Sequence, residues 1–290
     1  MSYAWSSHYH DPRALKTEAF CMAEAFTEVL LEEIPDSEIV GIYCKGSVLK
    51  EWDSPLDYVP ELSDVDIHIL FSDDSSIEKH LGLVDQAVHI QSRVEERYFS
   101  KLPEPLHVPM PQLTLLNDLL HNEDYVHPPR KVVYVLYGKD APDPDYSNPD
   151  RIRRTDCMRL LDGEEFLKKR LPRQAVDRPA RYIWQTLRLM SWRASPTGPR
   201  VLHILGLPTE EAWSVNRTVA VSLLEEMGEE NLAQDYADYY LNAWEYYLSG
   251  YTDGNAGRAS IVAGAKVLNR GGEIGLAWLA GHPEIEGETA

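Results

Sequence analysis

The sequence predicts an α+β protein: an N-terminal α/β domain, a mixed sheet with helices on one face, followed by an α-helical domain. Three observations carry this. Apolar side chains recur at helical spacing over residues 11–33 and again from residue 77 to 98. Between and after these stretches lie short runs rich in β-branched and aromatic residues, at 39–43, 64–71 and 131–137. Beyond the Pro- and Asp-rich segment 141–149 (APDPDYSNP) only helical patterns remain. The expected division is therefore residues 1–140, a linker at 141–149, and a helical domain at 150–290.

In chain order, the first helix carries Leu15, Ala19, Met22, Phe26, Val29 and Leu30 on one stripe and stops at Pro35-Asp36-Ser37. A strand follows at 39–43. Trp52-Asp53-Ser54-Pro55 reads as an inserted loop, and the next strand runs through Phe71. Ser72-Asp73-Asp74-Ser75 is a turn that caps a single helix with its stripe at Ile77, Leu81, Val84, Val88, Val94 and Tyr98. The 106–116 segment is extended, and Pro109 and Pro111 confine it to a sheet edge. In the second half, Asp150 is the expected cap of a helix over 151–171, and Pro179 begins a helix over 180–194. Ser195-Pro196-Thr197-Gly198-Pro199 then reads as a turn. Thr209 is the expected cap of one helix over 210–227, and helices at 229–249 and 258–269 complete the set. The Gly- and Glu-rich tail from Gly271 reads as partly disordered.

Composition narrows the function. No run is long enough to span a bilayer, and the N-terminus lacks a basic-then-apolar leader, so a cytoplasmic location is the expectation. Three scattered cysteines, Cys21, Cys44 and Cys157, build neither a disulfide framework nor a zinc site. The formal net charge of −19 repels polyanions, so long nucleic acids are poor partners, and it attracts small cations.

The chemistry concentrates in Lys45-Gly46-Ser47, at the end of the first strand, and Ser63-Asp64-Val65-Asp66-Ile67-His68-Ile69. Strand alternation puts Asp64, Asp66 and His68 on one face and Val65, Ile67 and Ile69 on the other. Two carboxylates held side by side call for a hard divalent cation, Mg²⁺ above all. A Gly-Ser turn offers backbone N–H groups and a hydroxyl to phosphate oxygens. This arrangement resembles the DNA polymerase β-type nucleotidyltransferase superfamily. The flavour of residues 58–66 (YVPELSDVD) is that of small-molecule and aminoglycoside nucleotidyltransferases, with a weaker echo in 132–138 (VVYVLYG) followed by Lys139-Asp140. The likeness covers roughly the first half of the chain.

The resemblance implies Mg²⁺ on Asp64 and Asp66, and the phosphates of ATP or another nucleoside triphosphate on Gly46 and Ser47, with Lys45 able to face them. It also implies a third carboxylate on a later strand, and residues 106–115 contain none; Gln112 stands about where one is expected. Glu104 before the segment is a candidate base, with Asp118 and Glu123 following it. His68 is another candidate, its pKa expected to be raised by the neighbouring carboxylates. The basic residues of 151–173 read as a phosphate clamp or as ordinary helix surface, and the tyrosine-rich stretch 236–251 as core or as the wall of an acceptor pocket. The expected function is Mg²⁺-dependent transfer of a nucleoside monophosphate, AMP from ATP, to a small hydroxylated and cationic acceptor such as an aminoglycoside. The site is expected in a cleft between the domains. The alternatives are a catalytically inactive nucleotide-binding or regulatory protein of the same fold, and a transferase acting on a protein or tRNA.

Overall fold

The computed structural model describes residues 3–283 and shows a mixed α+β chain. Its contacts divide it into two units. One comprises His10–Glu51 and Ser63–Pro144; the other comprises Met1–Tyr9, Trp52–Leu62 and Asp145–Ala290.

The first unit is built on a four-stranded sheet, β1 (Ile39–Lys45), β2 (Asp64–Phe71), β3 (Met110–Leu115) and β4 (Val133–Gly138), in the order β3-β2-β1-β4. β1 runs antiparallel to both β2 and β4, and β3 lies parallel to β2 at the edge. Helix α1 (Pro12–Glu33) begins at Asp11, whose carboxylate accepts from the Arg13 N–H. It packs across β2, β3 and β4, where Val65, Ile67 and Ile69 are fully buried. The helix expected over 77–98 is two: α2 (Ser75–Leu81) and α3 (Val84–Lys101), parted at Gly82-Leu83. Val84 and Val88 are exposed, so the buried stripe of α3 is Ile90, Val94 and Tyr98. A short helix, α4 (Leu116–Leu120), follows β3 directly.

The second unit holds α5 (Pro149–Lys169), α6 (Leu171–Asp177), α7 (Ile183–Ile204), α8 (Thr209–Ser214), α9 (Arg217–Glu226), α10 (Glu230–Leu248) and α11 (Gly254–Gly281). Asn148 rather than Asp150 caps α5, accepting from the Arg151 N–H. The helix expected over 210–227 is broken at Val215-Asn216, where Asn216 caps α9. The expected turn at residues 195–199 is instead the interior of α7. Pro199 cannot donate to the carbonyl four residues back, which is Ser195, and the Tyr236 hydroxyl donates to that carbonyl at 2.7 Å. A tyrosine on another helix thus replaces the missing backbone donor. Gly198 leaves room for the same ring, since a Cβ there would sit 3.2 Å from Tyr236 Cζ.

The glycine-rich stretch from Gly271 is also helical as far as Gly281. Gly271, Gly272 and Gly275 are contact points: a Cβ on Gly271 would lie 2.9 Å from Thr197 Cγ2, and one on Gly275 3.3 Å from the Cys157 carbonyl. Close approach to α5 and α7 outweighs their poor helix propensity. The end of that tail, from residue 284, lies outside the described residues.

Residues 52–62 dock as part of the helical unit. Asp57 accepts from the Asp53 and Ser54 N–H groups and from Thr218, while Trp244 Nε1 donates to the carbonyls of Pro55 and Tyr58. The buried aromatic residues of α10 spend their polar tips internally: Tyr239 on the Leu187 carbonyl, Tyr240 on Ser195, and Tyr246 on the Ala180 carbonyl. They form core rather than the wall of an acceptor pocket.

Candidate functional site

The carboxylate face of the sheet follows from register. Asp64 and Asp66 stand on alternate positions of β2, partly exposed, while Val65 between them is buried beneath. Lys45 of β1 pairs across from Asp66, and its ammonium lies 3.7 Å from Asp66 Oδ1, both side chains about a quarter exposed. Immediately after Lys45 the chain turns at Gly46, whose φ of +87° is a conformation that side chains disfavour. A Cβ on Gly46 would lie 2.4 Å from Asp66 Oδ2. The turn is therefore pressed against the carboxylate, and Gly46–Leu49 continue as one 3-10 turn with Ser47 at its start. Lys45, Gly46, Ser47, Asp64 and Asp66 come together within one unit.

Gln112 occupies the position sequence reasoning singled out: on β3 it is the direct partner of Asp66, and Met110 is that of Asp64. In a parallel pair such partners share a face. The place adjoining Asp66 is held by a side chain that can coordinate but cannot take a proton.

Two candidate bases are placed differently from expectation. Glu104 is exposed in the connection between α3 and β3, off the sheet. The N–H groups of Leu106 and His107, just after it, are bonded to the Glu18 carboxylate of α1, which ties this connection to the helix rather than to the carboxylates. Asp118 falls within α4 and Glu123 beyond it. His68 does share the face of the Asp pair, but its pKa moves opposite to the expectation, down to about 2. Burial is the main cause, with the Lys45 charge and His127 adding to it. His68 is a neutral imidazole and too weak a base to accept a proton near neutrality.

The basic clusters of α5 are engaged as helix surface. Arg153 pairs with Asp150 at 2.9 Å, Lys168 with Glu164 at 2.7 Å and Lys169 with Glu165 at 2.8 Å. Among the described residues no group of three His, Cys, Asp or Glu side chains stands ready to hold a metal ion, and no helix is long and apolar enough to cross a membrane. Comparison with protein-family models, curated proteins and solved structures finds no match to this chain.

Three further residues stand beside this face and share a cavity with Lys45 and His68: Tyr43, Arg130 and His127, a histidine whose spacing in the sequence suggests no metal-ligand role. Tyr43 was within reach, since it stands two residues before Lys45 on the same strand face. His127 and Arg130 sit on the loop before β4, and no local pattern marks them.

Proposed function

We propose that the chain is a Mg²⁺-dependent nucleotidyltransferase that moves a nucleoside monophosphate, AMP from ATP, to a small hydroxylated acceptor. The sheet unit is then a nucleotidyltransferase-type domain, and the helices after residue 150 form the domain that follows it. The observation that carries this reading is the left-handed Gly46 turn pressed against Asp66, beside Asp64 and Lys45. A turn that excludes any side chain at a carboxylate pair suits a triphosphate approaching its ion.

Two hard carboxylates on one face fit Mg²⁺, which characteristically takes one or two carboxylates and fills its other positions with phosphate oxygens and water. Asp64 and Asp66 would hold it, and bound there it would screen the triphosphate charge and polarise the α-phosphorus. The chain's own residues do the rest. The Gly46 and Ser47 amides orient phosphate oxygens, Lys45 offsets the local negative charge, and the rigid sheet fixes the reacting geometry. The acidic surface favours a cationic acceptor such as an aminoglycoside.

Gln112 favours a second reading: a protein that binds nucleotide without transferring it. Titration of Mg-ATP into wild type and into Asp64→Asn/Asp66→Asn tests the site, and pyrophosphate release with an aminoglycoside panel separates the readings. Binding with release supports transfer. Binding without release, with Gln112→Glu restoring a trace, supports the second reading. Unchanged Mg-ATP affinity in the double variant refutes both.

A further inference from the structure

Alongside the carboxylate pair, farther along β1 and β2, the sheet unit encloses a small cavity lined by Tyr43, Lys45, His68, His127 and Arg130, with prolines and aliphatic side chains closing it. It has room for an ion or a few waters and is too small for a nucleoside or a sugar ring. Its lining includes two cations and no carboxylate. Asp66 and Asp143 stand behind those cations, paired with Lys45 and Arg130, and Asp140 acts on the Tyr43 hydroxyl electrostatically; none of the three lines the cavity.

One polar group here is built in and unsatisfied. Tyr43 is 2% exposed, and its hydroxyl is buried with no hydrogen-bond partner. Leaving such a group unpaired costs about 1–3 kcal/mol, so a fold that retains one beside a cavity points to a ligand. His68 is buried at 5% exposure, and His127 is half-buried with its ring edge-on to that of Tyr125. Donors and two cations around a cavity with no carboxylate on its wall suit an anion.

We propose that this cavity binds a small oxyanion of the phosphate class, held by the Tyr43 hydroxyl, the His68 and His127 rings, and the Lys45 and Arg130 cations. The anion is either free phosphate or a phosphate group of a nucleotide; the chemistry of recognition is the same. The inference stands apart from nucleotidyl transfer, because none of its donors other than Lys45 belongs to the proposed nucleotide site.

The test is calorimetric titration of inorganic phosphate into the full chain in Mg²⁺-free buffer. Wild type binds saturably, and Tyr43→Phe and His127→Gln each weaken binding about tenfold or more, as expected for a hydrogen bond to a charged group. Tyr43→Phe removes a hydroxyl that has no partner, so its melting temperature in phosphate-free buffer stays at the wild-type value or rises. The Asp64→Asn/Asp66→Asn variant keeps phosphate binding, even where it abolishes binding of Mg-ATP. Displacement of phosphate by Mg-ATP assigns the anion to the nucleotide, and simultaneous binding assigns it to free phosphate. Absence of saturable binding to wild type, or equal binding by wild type and both cavity variants, overturns the proposal.

Discussion

Gly46→Ala probes the turn at the centre of the site, and its cost is set by two separate features of the structure. A non-glycine residue in the left-handed region costs about 1–2 kcal/mol, and φ at this position is +87°. The second feature is the 2.4 Å between the added methyl and Asp66 Oδ2, a separation that real side chains do not adopt. Asp66 is partly exposed and can swing away, so this contact adds little to the folding cost but displaces the carboxylate from Asp64 and from Lys45 at 3.7 Å. The expected stability loss is about 1–2 kcal/mol, a fall of about 2–8 °C in melting temperature for a chain of this size. The expected loss of Mg-ATP affinity is larger, about tenfold or more, because the second carboxylate no longer stands beside the first. Thermal melts and calorimetric titration should be run on Gly46→Ala, Asp66→Asn and the double variant. If the methyl acts by moving Asp66, the two effects on binding are strongly non-additive. Full additivity, or wild-type affinity in a folded Gly46→Ala protein, refutes the reasoning.

Further outcomes follow from the rest of the molecule. Tyr236→Phe removes the donor that replaces the Pro199 N–H, so urea denaturation should show a loss of about 1–3 kcal/mol. In the helical unit His203 is fully buried between the Asp156 carboxylate at 2.8 Å and the Thr209 hydroxyl at 2.9 Å, so His203→Ala should cost about 3 kcal/mol or more in the same assay. Hydrogen bonds from Lys79 and His80 hold the Glu38 carboxyl down at about 2, below its unfolded value near 4.5. Its stabilising contribution is complete above the unfolded value and drains away as pH falls from about 4.5 towards 2. Stability curves of wild type and Glu38→Gln should therefore converge at the acid end, and parallel curves would refute the assignment. Burial pushes the thiols of Cys44 and Cys157 up to about 12, so at mild alkaline pH a disulfide reagent should modify at most Cys21 in the native protein and all three cysteines after denaturation.

Much of this protein is decided by local order in the chain. Alternation in residues 64–69 is enough to put Asp64, Asp66 and His68 on one face, because the side-chain period of a strand is two in any context. The Asp11 cap and the α1 stripe are equally local. Other features exist only once distant segments meet. Residues 195–199 carry every local signal of a turn, yet the Tyr236 hydroxyl, 41 positions away, supplies the bond the proline cannot make. Residues 271–281 show little apolar periodicity because glycines occupy most of their buried face, and Gly271, Gly272 and Gly275 there serve close packing rather than a break. The charge state of His68 is likewise invisible in sequence: two adjacent carboxylates argue for a raised pKa, but burial and the Lys45 charge reverse it. Pairing is non-local too. Only the parallel register of β3 with β2 sets Gln112 opposite Asp66, and only folding brings His127 and Arg130 to the cavity beside Tyr43. Spacing along one strand fixes which side chains share a face; which groups surround them, and at what charge, is a property of tertiary packing.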